Sequence, residues 1–422
     1  MRFNKLSPQE RNTAVLILIS AVFNGVILSL NQTQDIISRK ALLAKDWQLM
    51  LMTMIWPVAN FFSVWWARVF ERSNHKQRYF LIAGVLGRLT LVYAIWLTTM
   101  NEFLVIMGFL YTSNSLILPA QNRIYQRNIH YKHRSNLYGF TLSLGIAVSL
   151  VVTFVGGRIL DQNEHLFRWL LVFTGVCGFA AAATLSMIRI QEPVVERPRP
   201  RMKLKQALLE PVYGTFRLLR DNRAFASFER SFFIYGMGFI MVQPVIPIYL
   251  VDKLQLSYTT NFMAKGIVSQ IGLLFLSPVI GKLHDRMHPF RFMASAFGLL
   301  MLFPTLFVVS SLWQGNSLAP VVIVFLAYLA FGIAMAAVNI TWNMGSIFFA
   351  GKEDASIYQS VHITLTGVRG LIAPVLGFSL LKIFSLTSVF AVSACFFLTA
   401  SIVSFLDYKK WKKAGGVIPS LD

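Results

Sequence analysis

The sequence predicts an all-α membrane protein that crosses the bilayer twelve times, as two pseudo-symmetric six-helix bundles. Of its 422 residues, 55% are apolar and 14% are charged, whereas soluble domains usually carry about 25% charged residues. The apolar residues lie in twelve blocks, each near the roughly 20 residues that one membrane-spanning helix needs. Lysine and arginine are concentrated on one side of these blocks, which is typical of the cytoplasmic side of a polytopic protein.

The apolar blocks fall into two groups of six. The first group covers residues 13–35, 47–70, 79–99, 102–122, 137–160 and 168–188. The second covers residues 227–250, 261–281, 291–312, 319–345, 357–381 and 386–406. We therefore predict an N-terminal six-helix bundle at 1–188, a cytoplasmic basic linker at 189–225, and a C-terminal six-helix bundle with a short basic tail at 226–422.

The linker begins with an alternation of arginine and proline at 197–201 and then becomes a mixture of leucine, phenylalanine, lysine and arginine. The second part has the pattern of an amphipathic helix that lies on the membrane surface. A plain solvated linker explains the composition equally well, so both interpretations stay open.

The distribution of positive charge predicts the orientation. With the N-terminus inside, 29 of the 39 lysines and arginines lie in cytoplasmic segments and seven lie in external loops. This asymmetry predicts an even number of spans with both termini in the cytoplasm, in a plasma membrane such as the bacterial inner membrane. It also explains the net charge of +21 without a nucleic-acid partner.

The two halves share short motifs at a nearly constant distance. Leu137-Tyr138 at the start of the fifth span corresponds to Ile357-Tyr358 at the start of the eleventh, and Gly157 corresponds to Gly377. An internal duplication of this kind is common in transporters.

The loop after the eighth span carries the most specific motif. Gly281, Asp285 and Arg286, with the following Arg291, resemble the signature loop of the major facilitator superfamily, and Glu71-Arg72 form a more degenerate first-half copy. The resemblance covers the whole chain and implies secondary transport by alternating access. It also implies that the loop holds neighbouring helix ends together and acts in gating. The Arg-x-x-Gln-Gly motif of proton-driven drug exporters is absent from the fourth span.

Polar residues follow single faces of the spans that line the central cavity in that superfamily, namely spans 1, 4, 7 and 10. Buried polar residues in a membrane usually face the bundle interior or a cavity. We expect a substrate path along these faces; polar contacts between packed helices are the alternative. The candidates are Asn24, Asn31, Asp35, Tyr111, Asn114, Gln121, Tyr235, Gln243, Asn339 and Asn343.

The eleventh span aligns His362, Thr366 and Arg369 on one helical face, with Arg369 near the middle of the membrane. A central arginine costs about 2.5–3.5 kcal/mol on insertion scales. We expect Arg369 to contact an anionic part of the substrate, or else to donate hydrogen bonds to backbone carbonyls. Arg88 lies equally deep in the third span, and the sequence gives it no role. Asp35 and Lys265 lie near the outer surface and could form an external gate pair, although two independent charges are the preferred interpretation.

The preferred function is therefore a secondary active transporter for a small organic solute, anionic or amphipathic, in contact with the lipid bilayer. A coupling ion is left open. A proton-coupled multidrug exporter is one alternative, and a membrane-embedded lipid-modifying enzyme is a less favoured one. The sequence predicts no enzyme activity, cofactor, metal site or obligate protein partner, because it lacks a nucleotide-binding loop and a cluster of metal ligands.

Overall fold

The computed structural model describes residues 7–62, 65–66, 75–190, 204–314, 317–350 and 355–413. Its first six membrane helices, labelled in chain order, form the N-terminal half. These are α1 (Pro8–Lys40), α2 (Asp46–Phe61), α3 (Lys76–Trp96), α4 (Met100–Asn128), α5 (Tyr131–Gln162) and α6 (Phe167–Ser186).

A linker helix, Leu204–Asp221, separates the halves, so the second part of the predicted linker is helical. The C-terminal half then begins with α7, made of Arg223–Val242 and Ile248–Lys253 on either side of a turn at 243–245. The remaining helices are α8 (258–285), α9 (Pro289–Leu312), α10 (Ala319–Ala350), α11 (Ala355–Ile383) and α12 (Leu386–Lys413).

The predicted fold class is confirmed. Nine helices in the described ranges are long and apolar enough to cross a membrane. Helices α2, α7 and α8 complete the twelve and are less regular: α2 is described for 16 residues, α7 is interrupted by its turn, and α8 contains a π-helical segment, Met263–Val268. The predicted second span extends beyond α2 into 63–64 and 67–70, which lie outside the described residues.

Local sequence explains where two long helices begin. Ser7 and Glu10 form a capping box at the start of α1, and Thr99 and Glu102 form another at the start of α4. In each box the hydroxyl and the carboxylate satisfy backbone N–H groups that the helix itself leaves unpaired. Glu10 and Glu102 therefore mark helix ends.

The helices alternate in direction between two faces of the bundle. We call the side where α1 begins and α12 ends the terminal face, and the other side the opposite face. Within the halves, α1 packs on α5 and α6, and α7 packs on α11 and α12. The halves meet mainly along two pairs, α2 with α11 and α5 with α8, and α1 also contacts α7 and α8.

Two glycines permit a close helix crossing in the C-terminal half. Gly272 of α8 faces Gly332 of α10, and a Cβ atom added to Gly272 would lie 2.4 Å from the carbonyl carbon of Gly332. Small residues allow membrane helices to approach backbone to backbone in this way. The crossing fixes α8 and α10, which both contribute to the cavity described next.

Candidate functional site

A cavity of about 480 Å³ lies between the two halves. Eight helices form its wall: α1, α2, α4 and α5 from the N-terminal half, and α7, α8, α9 and α10 from the C-terminal half. Its apolar lining includes Trp56, Phe239, Phe303 and Phe331, and amide and hydroxyl side chains lie between these rings. The volume falls in the range of small-molecule sites, roughly 300–1,000 Å³.

A hydrogen-bonded cluster joins α1 to α4 on the cavity wall. The Gln34 side-chain amide donates to the Tyr111 hydroxyl, which in turn donates to Asn31 Oδ1 at 3.4 Å. The Gln34 amide oxygen is buried and has no partner among the described residues. The cluster therefore leaves one buried acceptor of the wall unsatisfied among the described residues.

Asp35 of α1 and Lys265 of α8 also line the cavity, and they form an ion pair. Their side chains are 11% and 12% exposed. The preferred interpretation, two independent charges, is wrong, and the alternative of a charge pair describes them. The pair joins the two halves, and Lys265 reaches it from the π-helical segment of α8. A wider helical turn of this type is frequent at functional sites.

Two further ion pairs join the halves at the opposite face. Arg39 at the end of α1 binds Asp252 at the end of α7, and Lys382 at the end of α11 binds Asp46 at the start of α2, at 2.7 Å. Asp161 adds a third link, because its carboxylate accepts hydrogen bonds from the first backbone amides of α8 at 2.6 and 2.9 Å. Together with Asp35–Lys265 these contacts hold the opposite face closed.

The cavity wall contains half of the ten polar candidates from spans 1, 4, 7 and 10. These five are Asn31, Asp35, Tyr111, Gln243 and Asn339.

The other five lie elsewhere. The Asn114 amide oxygen accepts a hydrogen bond from Arg88 at 3.2 Å. Tyr235 is buried and stacks on Phe297 with ring centroids 4.8 Å apart. The exposed Asn343 donates to the Asn339 carbonyl at 2.8 Å. Asn24 and Gln121 are half-buried and lie outside the wall.

Arg88 is explained by the packing of the N-terminal half. It is 4% exposed and ends a π-helical segment of α3, Gly84–Arg88. Its guanidinium donates to the Gly178 carbonyl of α6 at 3.0 Å as well as to Asn114 of α4. Arg88 thus ties three helices together through neutral acceptors.

Arg369 lies within the C-terminal half and not on the cavity wall. It is 2% exposed, donates to the Phe232 carbonyl of α7, and donates to Thr366 Oγ1 at 2.9 Å. Its guanidinium also lies 5.2 Å from the centre of the Trp342 ring. The structure therefore corrects the expected substrate contact: the alternative role, donation to a backbone carbonyl, describes Arg369 in this conformation.

His362, expected on the same path, is buried beside Arg369 and forms a pair with Glu229 of α7. Its Nδ1 lies 2.8 and 3.0 Å from the two carboxylate oxygens. Sequence reasoning missed Glu229 because it lies two residues after the predicted start of the seventh span at 227, which placed it at a helix end. The signal was available in Phe225, Phe228 and Phe232, which place an apolar face on that segment.

The gating-loop residues are only partly described. Gly281 lies in α8, Arg286 follows its last residue, and the Arg291 guanidinium lies 6.0 Å from the Tyr408 ring centre. Glu71, Arg72 and the side chain of Asp285 lie outside the described residues. The gating role of this loop stays a prediction.

Comparisons with known proteins agree with this architecture. The model of the Major Facilitator Superfamily matches residues 13–374. A POT family transporter in complex with 5-aminolevulinic acid superposes with a TM-score of 0.76 at 13% identity, covering 97% of this chain and 99% of that one. The sequence comparison with curated proteins gives no match.

Two other solved structures are similar. The nucleoside transporter NupG has a TM-score of 0.70 at 13% identity, covering 96% of this chain and 100% of that one. A bacterial homologue of the human lysosomal transporter Spinster, inward-facing and unoccupied, has a TM-score of 0.65 at 15% identity and covers 97% and 98%. At these identities the likeness shows the fold alone. Since the family model covers most of its length, this multi-pass membrane protein belongs to the major facilitator superfamily.

Proposed function

We propose that the chain is a secondary transporter that moves a small amphipathic solute by alternating access. The observation that carries this proposal is the cavity between the halves, whose opposite end is closed by ion pairs that join one half to the other. Charge pairs of this kind can break and re-form as the halves rock around a central site. Family membership supports the same function.

The charge of the wall favours a zwitterion over a simple anion. Asp35 and Lys265 are the charged residues of the described wall, and they neutralise each other. The case for an anion rested on Arg369, which binds a backbone carbonyl instead. A solute with an ammonium and a carboxylate can replace both partners of the pair, while Trp56, Phe239 and Phe331 receive an apolar group. Its binding would then open the closed face.

A matched set of four phenylalanine derivatives tests the proposal. We expect phenylalanine, the zwitterion, to raise the melting temperature of the purified protein and to show counterflow in proteoliposomes. N-acetylphenylalanine (anion), phenylalanine methyl ester (cation) and N-acetylphenylalaninamide (neutral) share its ring and isolate the effect of charge. Preference for the anion would contradict the proposal that the solute is a zwitterion. Counterflow of none of the four compounds would count against this class of solute.

The terminal face is proposed to be cytoplasmic, because the positive charges of the sequence are concentrated there. In a background lacking Cys177 and Cys395, a cysteine at Leu43 on the opposite face is expected to react with an impermeant maleimide in intact cells. A cysteine at Met187 on the terminal face is expected to react only after permeabilisation. Both native side chains are well exposed, at 80% and 69%, so the two sites form a matched pair. The reverse labelling pattern would overturn the orientation.

A further inference from the structure

The C-terminal half buries a cluster of ionisable groups that the cavity does not use. Glu229 of α7 and His362 of α11 have side chains that are 3% and 0% exposed, and Arg369 lies two turns along α11. Buried ionisable groups in membrane helices are expensive and usually functional. The buried Glu229–His362 pair therefore calls for a functional explanation.

The surroundings of His362 leave one of its ring nitrogens open to a proton. Nδ1 contacts both carboxylate oxygens of Glu229. The rings of Trp342, Phe232 and Phe228 surround the imidazole, with centroids 4.0, 4.9 and 5.8 Å away. Nε2 is buried and has no partner among the described residues, so one ring nitrogen can accept a proton.

One carboxylate here serves two groups that can be cationic. Arg369 is held by the Phe232 carbonyl and Thr366, and its Nε has no partner among the described residues. With neutral His362, Glu229 and Arg369 balance each other. A proton on His362 leaves a net positive charge in a buried site, which is costly unless the structure rearranges. The protonation of His362 therefore determines which cation Glu229 stabilises.

The remaining ionisable groups near the pair do not compete in the neutral pH range. Arg230 of α7 is already paired with Asp407 of α12 at 2.7 Å. Tyrosine hydroxyls normally titrate near pH 10, whereas histidine titrates between pH 5 and 8. The ionisable groups on the helices packed around His362 are Arg369 and Tyr358 on α11, Tyr235 and Arg230 on α7, and Asp407 on α12. Helix α10 contributes the uncharged Trp342.

We propose that the Glu229–His362 pair is a proton-binding site that couples transport to protons; this rests on the proposed transport function. The proton adds at Nε2 of His362 while Glu229 accepts a hydrogen bond from Nδ1–H. Its release makes the imidazole neutral and weakens that hydrogen bond, so that the carboxylate can turn toward Arg369. Two contacts carry the change outward. Trp342 lies one turn from Asn339 on the cavity wall, and Gly370 of α11 packs on Pro57 of α2 across the interface between the halves.

Trp342 provides a direct readout, because a protonated imidazole quenches indole fluorescence. The emission of the purified protein is titrated from pH 4.5 to 9, and the Trp342 signal is taken as the difference from Trp342→Phe. We expect quenching with a midpoint between pH 5 and 8. The step is expected to vanish in His362→Gln and to move to lower pH in Glu229→Gln, which removes the carboxylate in contact with Nδ1.

The chain contains a matched control. His288 stacks on Trp411 with ring centroids 3.8 Å apart, in the loop between α8 and α9. Burial lowers the pKa of His288 to about 4, so this histidine is expected to remain unprotonated over most of the titration. His288→Gln should leave the Trp342 step unchanged.

A second measurement tests whether protonation of His362 is coupled to movement of the two halves. Spin labels at Leu43 and Leu318, 80% and 79% exposed, report the distance between the two halves at the opposite face, in a background lacking Cys177 and Cys395. We expect this distance to change over the same pH range and to become insensitive to pH in His362→Gln. A Trp342 signal without a step between pH 5 and 8, or a step that leaves the distance unchanged, would overturn the proposal. Absent solute counterflow with an intact proton titration would instead count against the transport function.

Discussion

Asp35→Asn is expected to open the opposite face and to raise the modification rate of a cysteine placed at Thr153 at least about tenfold. Thr153 of α5 is 1% exposed and faces Gly266 of α8 beside the Asp35–Lys265 pair. Removing one partner leaves Lys265 partly buried without its counter-charge, and such losses commonly exceed the roughly 1.4 kcal/mol that corresponds to a factor of ten. The reagent is an impermeant maleimide, applied from the opposite face in a background lacking the native cysteines.

The effect should depend on the pair and not on the identity of either residue. The charge-swapped variant Asp35→Lys with Lys265→Asp is expected to restore slow modification. Asp407→Asn is the matched control, because the Arg230–Asp407 pair joins α7 to α12 within one half. An increase in Asp407→Asn equal to that in Asp35→Asn would mean that general loosening, and not opening between the halves, exposes Thr153.

Gly332→Ala is expected to destabilise the C-terminal half by about 1–3 kcal/mol, the usual consequence of overpacking, and Gly332→Leu to prevent recovery of folded protein. A Cβ atom at Gly332 would lie 2.5 Å from the Ser269 carbonyl oxygen of α8. Because that atom belongs to a helix backbone, α8 and α10 must move apart. The measurement is the melting temperature followed by size-exclusion chromatography in detergent.

Glycines in open positions supply the control. A Cβ atom added to Gly108 of α4 or Gly139 of α5 meets no atom within 4 Å. Gly108→Ala and Gly139→Ala are therefore expected to keep the wild-type melting temperature or to raise it slightly, because alanine favours a helix more than glycine does. A loss in these controls as large as in Gly332→Ala would contradict the role of the α8–α10 crossing.

The fold could be predicted because a bilayer constrains sequence strongly. Span length, the block pattern and the side on which positive charge lies are properties of one segment at a time. These properties predicted the twelve helices, although the predicted boundaries differ from the observed ones. The fourth span, for example, was predicted at 102–122, whereas α4 runs from Met100 to Asn128. The irregular segments of α3 and α8 were missed, since Gly84–Arg88 and Met263–Val268 contain nothing that distinguishes them from helical sequence.

The site was predicted less well because it depends on which neighbour each helix face meets. His362, Thr366 and Arg369 do share one face of α11, as their spacing indicates. That face meets Phe232 and Glu229 of α7, and a helical period carries no information about the partner. The same limit made the Asp35–Lys265 pair the less favoured alternative, because its members are 230 positions apart in the chain.

The three ion pairs across the opposite face differ in their access to water, so dissolved salt should act on them unequally. In Arg39–Asp252 and Lys382–Asp46 one partner is 36% and 55% exposed, whereas both partners of Asp35–Lys265 are near 12%. At physiological ionic strength the screening length is about 8 Å, and buried pairs are screened much less. High salt should therefore weaken the outer two pairs and spare the inner one. With the proposed orientation, the ionic strength outside the cell would then set how readily the opposite face loosens, and the proposed solute would act on the inner pair.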